Sequence, residues 1–256
     1  MALISGVSVV IPFYNEQGNI TPLIEEVVYA LKTIEHWQVI LVNDGSTDQT
    51  AQEIENSCRL YPNCSPVHHV KNEGQSSALY TGIQQADFDW IITLDGDGQN
   101  NPGDIPDLIT ALGNHNHHVV FGNRIKRKDS LIKKISSRLA NYIRILVLDD
   151  RCLDTGCSLK LFPKSIFLSL PRFNHLHRFL PALFQFAGYT IINVPVSHRP
   201  RIRGRSKYGF WGRLWVGIFD LIGVYWLKSR YLKPALIQEP QPVSNDQLSA
   251  RKQQLR

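Results

Sequence analysis

From residue 7 to about residue 121 this chain alternates short β-branched runs with stretches of helical apolar spacing, and few folds accommodate that pattern. Val7–Ile11, Gln38–Val42, Pro66–Val70, Trp90–Leu94 and His118–Phe121 read as buried strands. Between them lie helical segments at Asn19–Thr33, from Thr47 or Asp48 onward with Asp48 as N-cap, at Glu73–Ala86 and at Asp104–Leu112. Alternation of this kind predicts an α/β fold, a mostly parallel sheet with helices on both faces. Ligands in such sheets sit at the carboxyl ends of the strands. Polar clusters fall at three of those ends: Phe13-Tyr-Asn-Glu16, Asn43-Asp-Gly-Ser46 and Asp95-Gly-Asp-Gly-Gln99.

Charge divides the chain. Residues 1–110 hold 3 Lys/Arg against 15 Asp/Glu (net −12), and residues 111–256 hold 25 against 7 (net +18). An acidic half that binds an anionic nucleotide needs a cation between them, whereas a basic half suits an anionic acceptor, lipid or nucleic acid. Ser130–Leu148 reads as a long basic-amphipathic helix, Thr155–Phe162 as a strand with Pro163 opening a helix, His175–Ala187 as helical and Tyr189–Val196 as a strand. Phe210–Leu227 is the most apolar stretch. It spans 18 residues, includes Arg213 and Asp220, and is flanked by Arg199–Lys207 and by Lys228, Arg230 and Lys233. That is short for a membrane crossing and suits a helix lying among lipid headgroups, with a core helix as the alternative. Residues 238–256 read as disordered. No cationic leader opens the chain, so a cytoplasmic location is expected, with Cys58, Cys64, Cys152 and Cys157 as thiols.

Asp95-Gly-Asp97 is the sharpest local feature. Residues two apart on a strand-like path point the same way, so two carboxylates can converge on Mg²⁺ or Mn²⁺, with Gln99 as a further oxygen ligand. The same string is also good turn chemistry; its strand-end position favours a site. Asp44 can accept from a base or ribose, and Asn72-Glu-Gly-Gln-Ser-Ser-Ala78 opens a helix whose N–H groups could meet a phosphate, close helix packing being the alternative. His115, His117 and His118 read as surface residues. No G-x-G-x-x-G follows the first strand, which disfavours a dinucleotide oxidoreductase, and no nucleic-acid recognition motif accompanies the basic charge.

The ordered set Val10-Ile-Pro-Phe-Tyr-Asn-Glu16, Val42-Asn-Asp-Gly-Ser-Thr-Asp48, Asn72-Glu-Gly74 and Asp95-Gly-Asp-Gly-Gln99 resembles family 2 glycosyltransferases. Gly122-Asn-Arg124, Ser137-Arg-Leu-Ala-Asn141, Asp154–Phe162 and Arg203-Gly-Arg-Ser-Lys-Tyr208 extend the resemblance to the polyprenyl-phosphate, dolichol-phosphate-mannose-synthase-like branch. The resemblance implies a GT-A (Rossmann-like) domain over residues 1–209, then an interfacial helix at 210–233 and a polar tail at 234–256. It implies inverting transfer from a UDP- or GDP-sugar to a polyprenyl phosphate with a divalent metal. Many relatives carry two transmembrane helices after the Ser-Lys-Tyr loop; this chain has at most one borderline segment, so peripheral attachment at the cytoplasmic membrane face is expected instead. Pro12, Tyr14, Glu16 and Asp44 are then expected in the nucleotide pocket, and Asp95, Asp97 and Gln99 at the metal and diphosphate. Arg124 and Arg138 are expected at the acceptor phosphate, with Arg203, Ser206 and Lys207 in a loop closing over both phosphates. Where the family pattern has Ser-Gly, this chain has Cys157-Ser158, so Thr155 or Ser158 would supply the hydroxyl.

A phosphate monoester carries about −1.5 to −2 charge at neutral pH. It can attack an anomeric carbon with no base to deprotonate it, and needs cations that orient it and offset repulsion. Two windows supply them: Arg124–Arg138 holds seven Lys/Arg and Arg199–Arg213 holds six. A hydroxyl acceptor would instead require a base, for which Asp149, Asp150 and Asp154 are candidates. A non-catalytic membrane-binding module with the same fold is the reading from another class.

Overall fold

Val7–Phe13 (β1) buries six of its seven residues, which only a strand covered on both faces allows. Around it a computed structural model describes residues 4–125, 143–200 and 210–232, with only the backbone described for 210–216. The remaining strands are Trp37–Asn43 (β2), Cys64–His68 (β3), Trp90–Thr93 (β4), His118–Arg124 (β5), Lys160–Pro163 (β6) and Thr190–Val196 (β7). They form one seven-stranded sheet in the order β3-β2-β1-β4-β6-β5-β7. Pairing is parallel throughout except at β6, which runs antiparallel to both β4 and β5. The expected mostly parallel α/β sheet is therefore present, with one reversed strand at its centre.

Alternation along the strands splits the core in two. Val9, Ile11, Val39 and Leu41 face Ile20–Ala30 (α1), Thr50–Leu60 (α2) and Ile105–Leu112 (α4) through Ile24, Val27, Ile54 and Leu108. Val10, Ile40 and Val42 face Gln75–Gln84 (α3) through Ala78, Leu79 and Ile83. The same side carries residues 143–148 (α5), Lys164–Ser169 (α6), Leu180–Phe186 (α7) and Phe210–Arg230 (α8). Pro12 lies inside β1 rather than ending it. The side of β1 that lacks its N–H faces β4, which leaves the ladder at Thr93.

Several boundaries differ from the sequence reading, each for a local reason. Helix α2 opens at Thr50, because Asp48 Oδ1 accepts from Thr50 N at 3.0 Å in a turn of its own before the helix. The strand expected over 155–162 begins only at Lys160, since Cys157 N donates to Asp154 O and folds 154–157 into a turn. Pro163 sits one place before α6, not in it. The single helix expected from His175 breaks into a short 3₁₀ turn, Leu176–Arg178, and α7, opened by His175 in the left-handed region. Most of the long basic helix and the whole C-terminal tail lie outside the described residues.

Helix α8 is 21 residues long, and among the described residues no helix is long and apolar enough to cross a membrane. One side is docked. Val224 is buried, Leu221 and Leu227 pack on the core, Asp220 Oδ2 pairs with His175 Nδ1 at 2.9 Å, and Lys228 Nζ donates to Leu148 O at 3.0 Å. The other side leaves Ile218, Phe219, Ile222, Tyr225 and Trp226 exposed, Phe219 at 70% and Trp226 at 63%.

The reversed strand is anchored by aromatic packing: fully buried Phe162 lies 5.4 Å from Phe167 and 5.1 Å from Phe184, ring centroid to centroid. Phe162→Ala is expected to cost about 3–5 kcal/mol in urea unfolding, the range for a buried aromatic truncated to a cavity. A loss below about 1 kcal/mol would mean that β6 is not fixed by this cluster.

Candidate active site

Three loops leave the carboxyl ends of β1, β2 and β4, and side chains sew them together. Asn15 N donates to Ser46 Oγ, Glu16 N to Thr50 Oγ1, Gln17 N to Asp48 Oδ2 and Gly18 N to both Glu53 oxygens, all at 2.8–3.3 Å. Thr47 N returns a bond to Asn15 Oδ1 at 2.8 Å. Glu16 is buried, its Oε2 accepting from Asn19 Nδ2 at 2.8 Å. Pro12 and Tyr14 stand half-buried at the mouth of the same loops.

Asp44 is the centre of this stitching. Its Oδ1 accepts from His69 Nδ1 at 2.8 Å and Glu73 N at 2.9 Å, and its Oδ2 from Asn72 Nδ2 at 2.8 Å and Gly74 N at 2.9 Å. Four donors fill the roughly four lone-pair positions of a carboxylate. The two backbone donors, Glu73 N and Gly74 N, lie in the turn just before α3, so the protein's own anion fixes the entry to the helix that was expected to face a ligand. The sequence could not reveal this, because the partner lies 29 and 30 positions away. Gly45, at φ +64°, makes the approach possible: a Cβ there would lie 2.4 Å from Asn72 N.

The next residue of α3 joins this anchor to the Asp-Gly-Asp turn, since Gln75 Nε2 donates to Asp95 Oδ1 at 2.7 Å. Asp95 N donates to Ser158 Oγ at 3.0 Å, Asn100 Nδ2 reaches the same hydroxyl, and Thr93 Oγ1 donates to Ser158 O at 2.6 Å. Ser158 therefore holds the turn from beneath. Gly96 is required because a Cβ would meet the Phe13 ring at 2.4 Å, so this glycine serves the end of β1 rather than a ligand. Asp97 Oδ1 accepts from Gln99 N at 3.1 Å, and Gln99 Nε2 donates to Arg199 O at 3.4 Å. Burial first, then the neighbouring Asp97 carboxylate, push Asp95 up to about 6.

A carboxylate beside a second one, raised by burial and by that neighbour, fits a hard cation. Among the described residues no three His, Cys, Asp or Glu side chains cluster to hold a metal unaided. Two carboxylates suit Mg²⁺ or Mn²⁺, whose remaining ligands are commonly substrate phosphate and water.

From the end of β5 onward three of the described arginines are held by acids. Arg124 donates from Nε and Nη2 to the two oxygens of Asp154 at 2.6 and 2.8 Å. Arg144, which the motif reading did not single out, is buried against Asp150, with Nε to Oδ2 at 2.8 Å. It also donates to Cys152 O at 2.7 Å and Thr155 Oγ1 at 2.5 Å. Asp149 is exposed. Arg199 pairs with Glu26 at 2.8 Å and donates to Asn101 Oδ1 at 2.6 Å, while its N–H bonds Gln99 O at 2.8 Å. Arg138, Arg203, Ser206 and Lys207 lie outside the described residues.

Other polar residues here carried no motif signal. Lys160 is buried and His177 half-buried, and Ser76 Oγ meets His177 Nδ1 at 2.8 Å. Burial, helped by Lys160 nearby, pushes His177 down to about 3, so its ring is neutral. A lysine in a strand alternating with Leu and Phe was the available hint.

Fold and site together have the organisation of a GT-A-like α/β domain. Glucosyl-3-phosphoglycerate synthase from Mycobacterium tuberculosis, solved with Mn²⁺, UDP and phosphoglyceric acid, superposes with a TM-score of 0.64 at 18% identity, covering 90% of this chain and 80% of that one. Mannosyltransferase PcManGT from Pyrobaculum calidifontis, solved with GDP-Man and Mn²⁺, gives 0.60 at 18% identity, covering 96% and 68%. The family model for Glycosyl transferase family 2 matches residues 8–170. Dodecaprenyl-phosphate galacturonate synthase of Rhizobium johnstonii is 36% identical over 238 residues, 89% of this chain and 68% of that protein. Undecaprenyl-phosphate 4-deoxy-4-formamido-L-arabinose transferase of Proteus mirabilis is 35% identical over 214 residues, 81% of this chain and 64% of that protein. The chain belongs to glycosyl transferase family 2, and it spans about two thirds of the length of these curated relatives.

The two strand-end aspartates should respond oppositely to the same substitution. Asp44→Asn removes acceptors from buried N–H donors and is expected to lower stability by at least about 2 kcal/mol at any pH from 5 to 8. Asp95 is raised from 3.8 to about 6 on folding, so the folded state holds more protons between those values and stability falls as pH rises through them. Asp95→Asn should therefore raise the melting temperature of the chelator-treated protein above pH 6 and leave it little changed near pH 4. A gain that is equal at both pH values would contradict the raised carboxyl.

Proposed function

We propose that this chain moves one sugar from a UDP- or GDP-sugar to a polyprenyl phosphate at the cytoplasmic surface of a membrane, with inversion at the anomeric carbon. The observation that carries the reading is the state of the acids downstream of β5. Asp150 and Asp154 are each held by an arginine, so neither is poised as the general base that a hydroxyl acceptor requires. A phosphate acceptor needs none, and sugar transfer to polyprenyl phosphates is what the names of the curated relatives describe.

In this reading a phosphate oxygen attacks the anomeric carbon while the bond to the diphosphate oxygen breaks and the nucleoside diphosphate leaves. The loops of Pro12, Tyr14 and Glu16 form the nucleotide pocket, and Asp44 contributes by fixing the 69–74 loop as its wall. Asp95, Asp97 and the Gln99 amide oxygen hold the cation. That cation, when bound, supplies Lewis acidity that offsets charge on the leaving diphosphate. Arg124 keeps one guanidinium nitrogen, Nη1, for the acceptor phosphate while Asp154 fixes the other end. Arg199 supports the remaining assignments. It is bonded to Gln99, and Arg203 follows four residues later, a reach of at most about 14 Å. Arg203, Ser206 and Lys207 are assigned to both phosphates, and Arg138 to the acceptor with Arg124, on the family resemblance. The exposed face of α8, ending in Lys228 and Arg230, lies among the lipid headgroups.

The test is a lipid-extraction assay with the purified chain, labelled UDP- and GDP-sugars, a polyprenyl phosphate and Mg²⁺ or Mn²⁺. Label should enter the organic phase only with metal, and Asp97→Asn should lower the rate at least about a hundredfold. Asp149→Asn, the exposed acid, should leave it within about twofold. Transfer to a glycan or glycolipid hydroxyl that Asp149→Asn abolishes would replace this reading with the hydroxyl-acceptor one, and vesicle binding without any turnover would favour a non-catalytic module.

A further inference from the structure

The strand that reverses the sheet brings a lysine to the back of the cation site. In the β4–β6 register Thr93 stands opposite Lys160 and Ile92 opposite Leu161. Continuing that antiparallel count by two residues sets Asp95 opposite Ser158, in keeping with the bond from Asp95 N to Ser158 Oγ. Asp95 and Lys160 are then diagonal neighbours on one face of the sheet, a separation of about 7–8 Å between Cα atoms that a long side chain can bridge. On the far side Lys160 stands opposite Phe121, and its Nζ sits 5.7 Å from the centre of that ring.

Lys160 is 4% exposed, and its ammonium has three donors. Among the described residues it makes one hydrogen bond, to Cys157 O. A lysine this buried is seldom tolerated unless an opposite charge is close. His177, on the helix side, is neutral. Asp154 is taken up by Arg124. Burial draws the Lys160 pKa down and Asp95 is among the neighbours that draw it up, while Lys160 is the first of two cations, with Arg124, that favour the charged form of Asp95.

We propose that Lys160 is the internal counter-charge of Asp95, a positioning residue that holds the first carboxylate of the cation site in place before donor and metal arrive. This rests on the proposed metal site and deepens it. The ammonium supplies part of the positive charge that the site needs. A divalent cation therefore binds against a standing repulsion, and the cation reads as a partner that arrives with the diphosphate rather than a permanent resident.

Two measurements test this, both at pH 8 with Lys160→Met, which keeps the length of the side chain without its charge. The first is a double-mutant cycle on the melting temperature of the metal-free protein. Lys160→Met should lower it when Asp95 is present, because a buried carboxylate loses its partner, and should leave it unchanged or raise it in the Asp95→Asn background. The same sign in both backgrounds would mean a packing role and overturns the proposal. If Lys160→Met does not fold alone, recovery of a folded double variant supports the pairing, and failure of the double variant to fold refutes it. The second is titration of Mn²⁺ alone by calorimetry, where Lys160→Met should bind about five- to tenfold more tightly than the unchanged protein. Equal or weaker binding by the variant overturns the repulsion. If the unchanged protein binds no Mn²⁺ alone, the titration is repeated with UDP or GDP present, where the same order of affinities is expected and absence of binding refutes the metal reading, while the thermal cycle still decides whether Lys160 and Asp95 are paired.

Discussion

A single buried carboxylate organises the carboxyl edge of this sheet. Asp44 ends β2, receives four hydrogen bonds from residues 69–74, and so sets where α3 begins. The next residue, Gln75, reaches Asp95 at the end of β4, while Asp44 N bonds Phe13 O at the end of β1. Three strand ends are thus referred to one point. The favourable meeting of a carboxylate with a helix N-terminus is what makes this affordable for a charge that is almost wholly shielded from water. Remove it and two backbone donors are stranded, the α3 entry is free to shift, and Gln75 no longer has a fixed origin from which to hold Asp95.

Asp95 is the opposite case. It accepts one side-chain bond from Gln75, lies beside a second carboxylate, and its folded environment resists ionisation. A fold could have satisfied it as fully as Asp44. Instead the approach to the antiparallel β6 brings up Ser158, which holds the backbone of the turn and offsets only part of the burial of the carboxyl. Stability is given up locally at this turn, and the cost is offset by the well-packed sheet beneath, where Val9, Val10, Ile92 and Leu161 have no exposed surface. Downstream the logic reverses again: Arg124 and Arg144 are each held by an aspartate, which fixes the orientation of their planar forks.

The sheet class was legible because β-branched runs and helical spacing alternate with few interruptions up to Phe121. The reversed β6 was not, since a strand of four residues carries no sign of its direction; that follows from the partners on either side. The Asp-Gly-Asp turn was legible as a candidate because its chemistry is local, two acids at spacing two after an apolar run. Its support was not. Ser158 and Lys160 lie more than 60 positions from Asp95, and a lysine within Leu-Lys-Leu-Phe hints at burial without showing what it faces. Asp44 was read as a ligand for a base because strand ends in such sheets often serve that purpose; its full set of protein donors becomes visible only once residues 69–74 are folded over Gly45. The start of α2 was missed because Asp48 is good N-cap chemistry, and an aspartate that closes a turn with Thr50 looks the same in a sequence.

The α8 helix extends the same connected framework outward. His175 and His177 sit two residues apart on one short turn. The first pairs with Asp220 on α8, and the second meets Ser76 in the opening turn of α3. Because His177 is held neutral far below physiological pH, its bond to Ser76 does not titrate as the surroundings change. The helix that carries the exposed Phe219 and Trp226 is therefore linked through one rigid turn to the helix whose first residues hold Asp44 and Asp95. Lys228 adds a second attachment by capping the carbonyl of Leu148, next to the Arg144–Asp150 pair. If α8 rests on a lipid surface, these two attachments fix the height and tilt of the cation site above it. An acceptor whose phosphate stands at that surface then meets a site already oriented toward it, and the entropic cost of alignment falls on the fold instead of on each encounter.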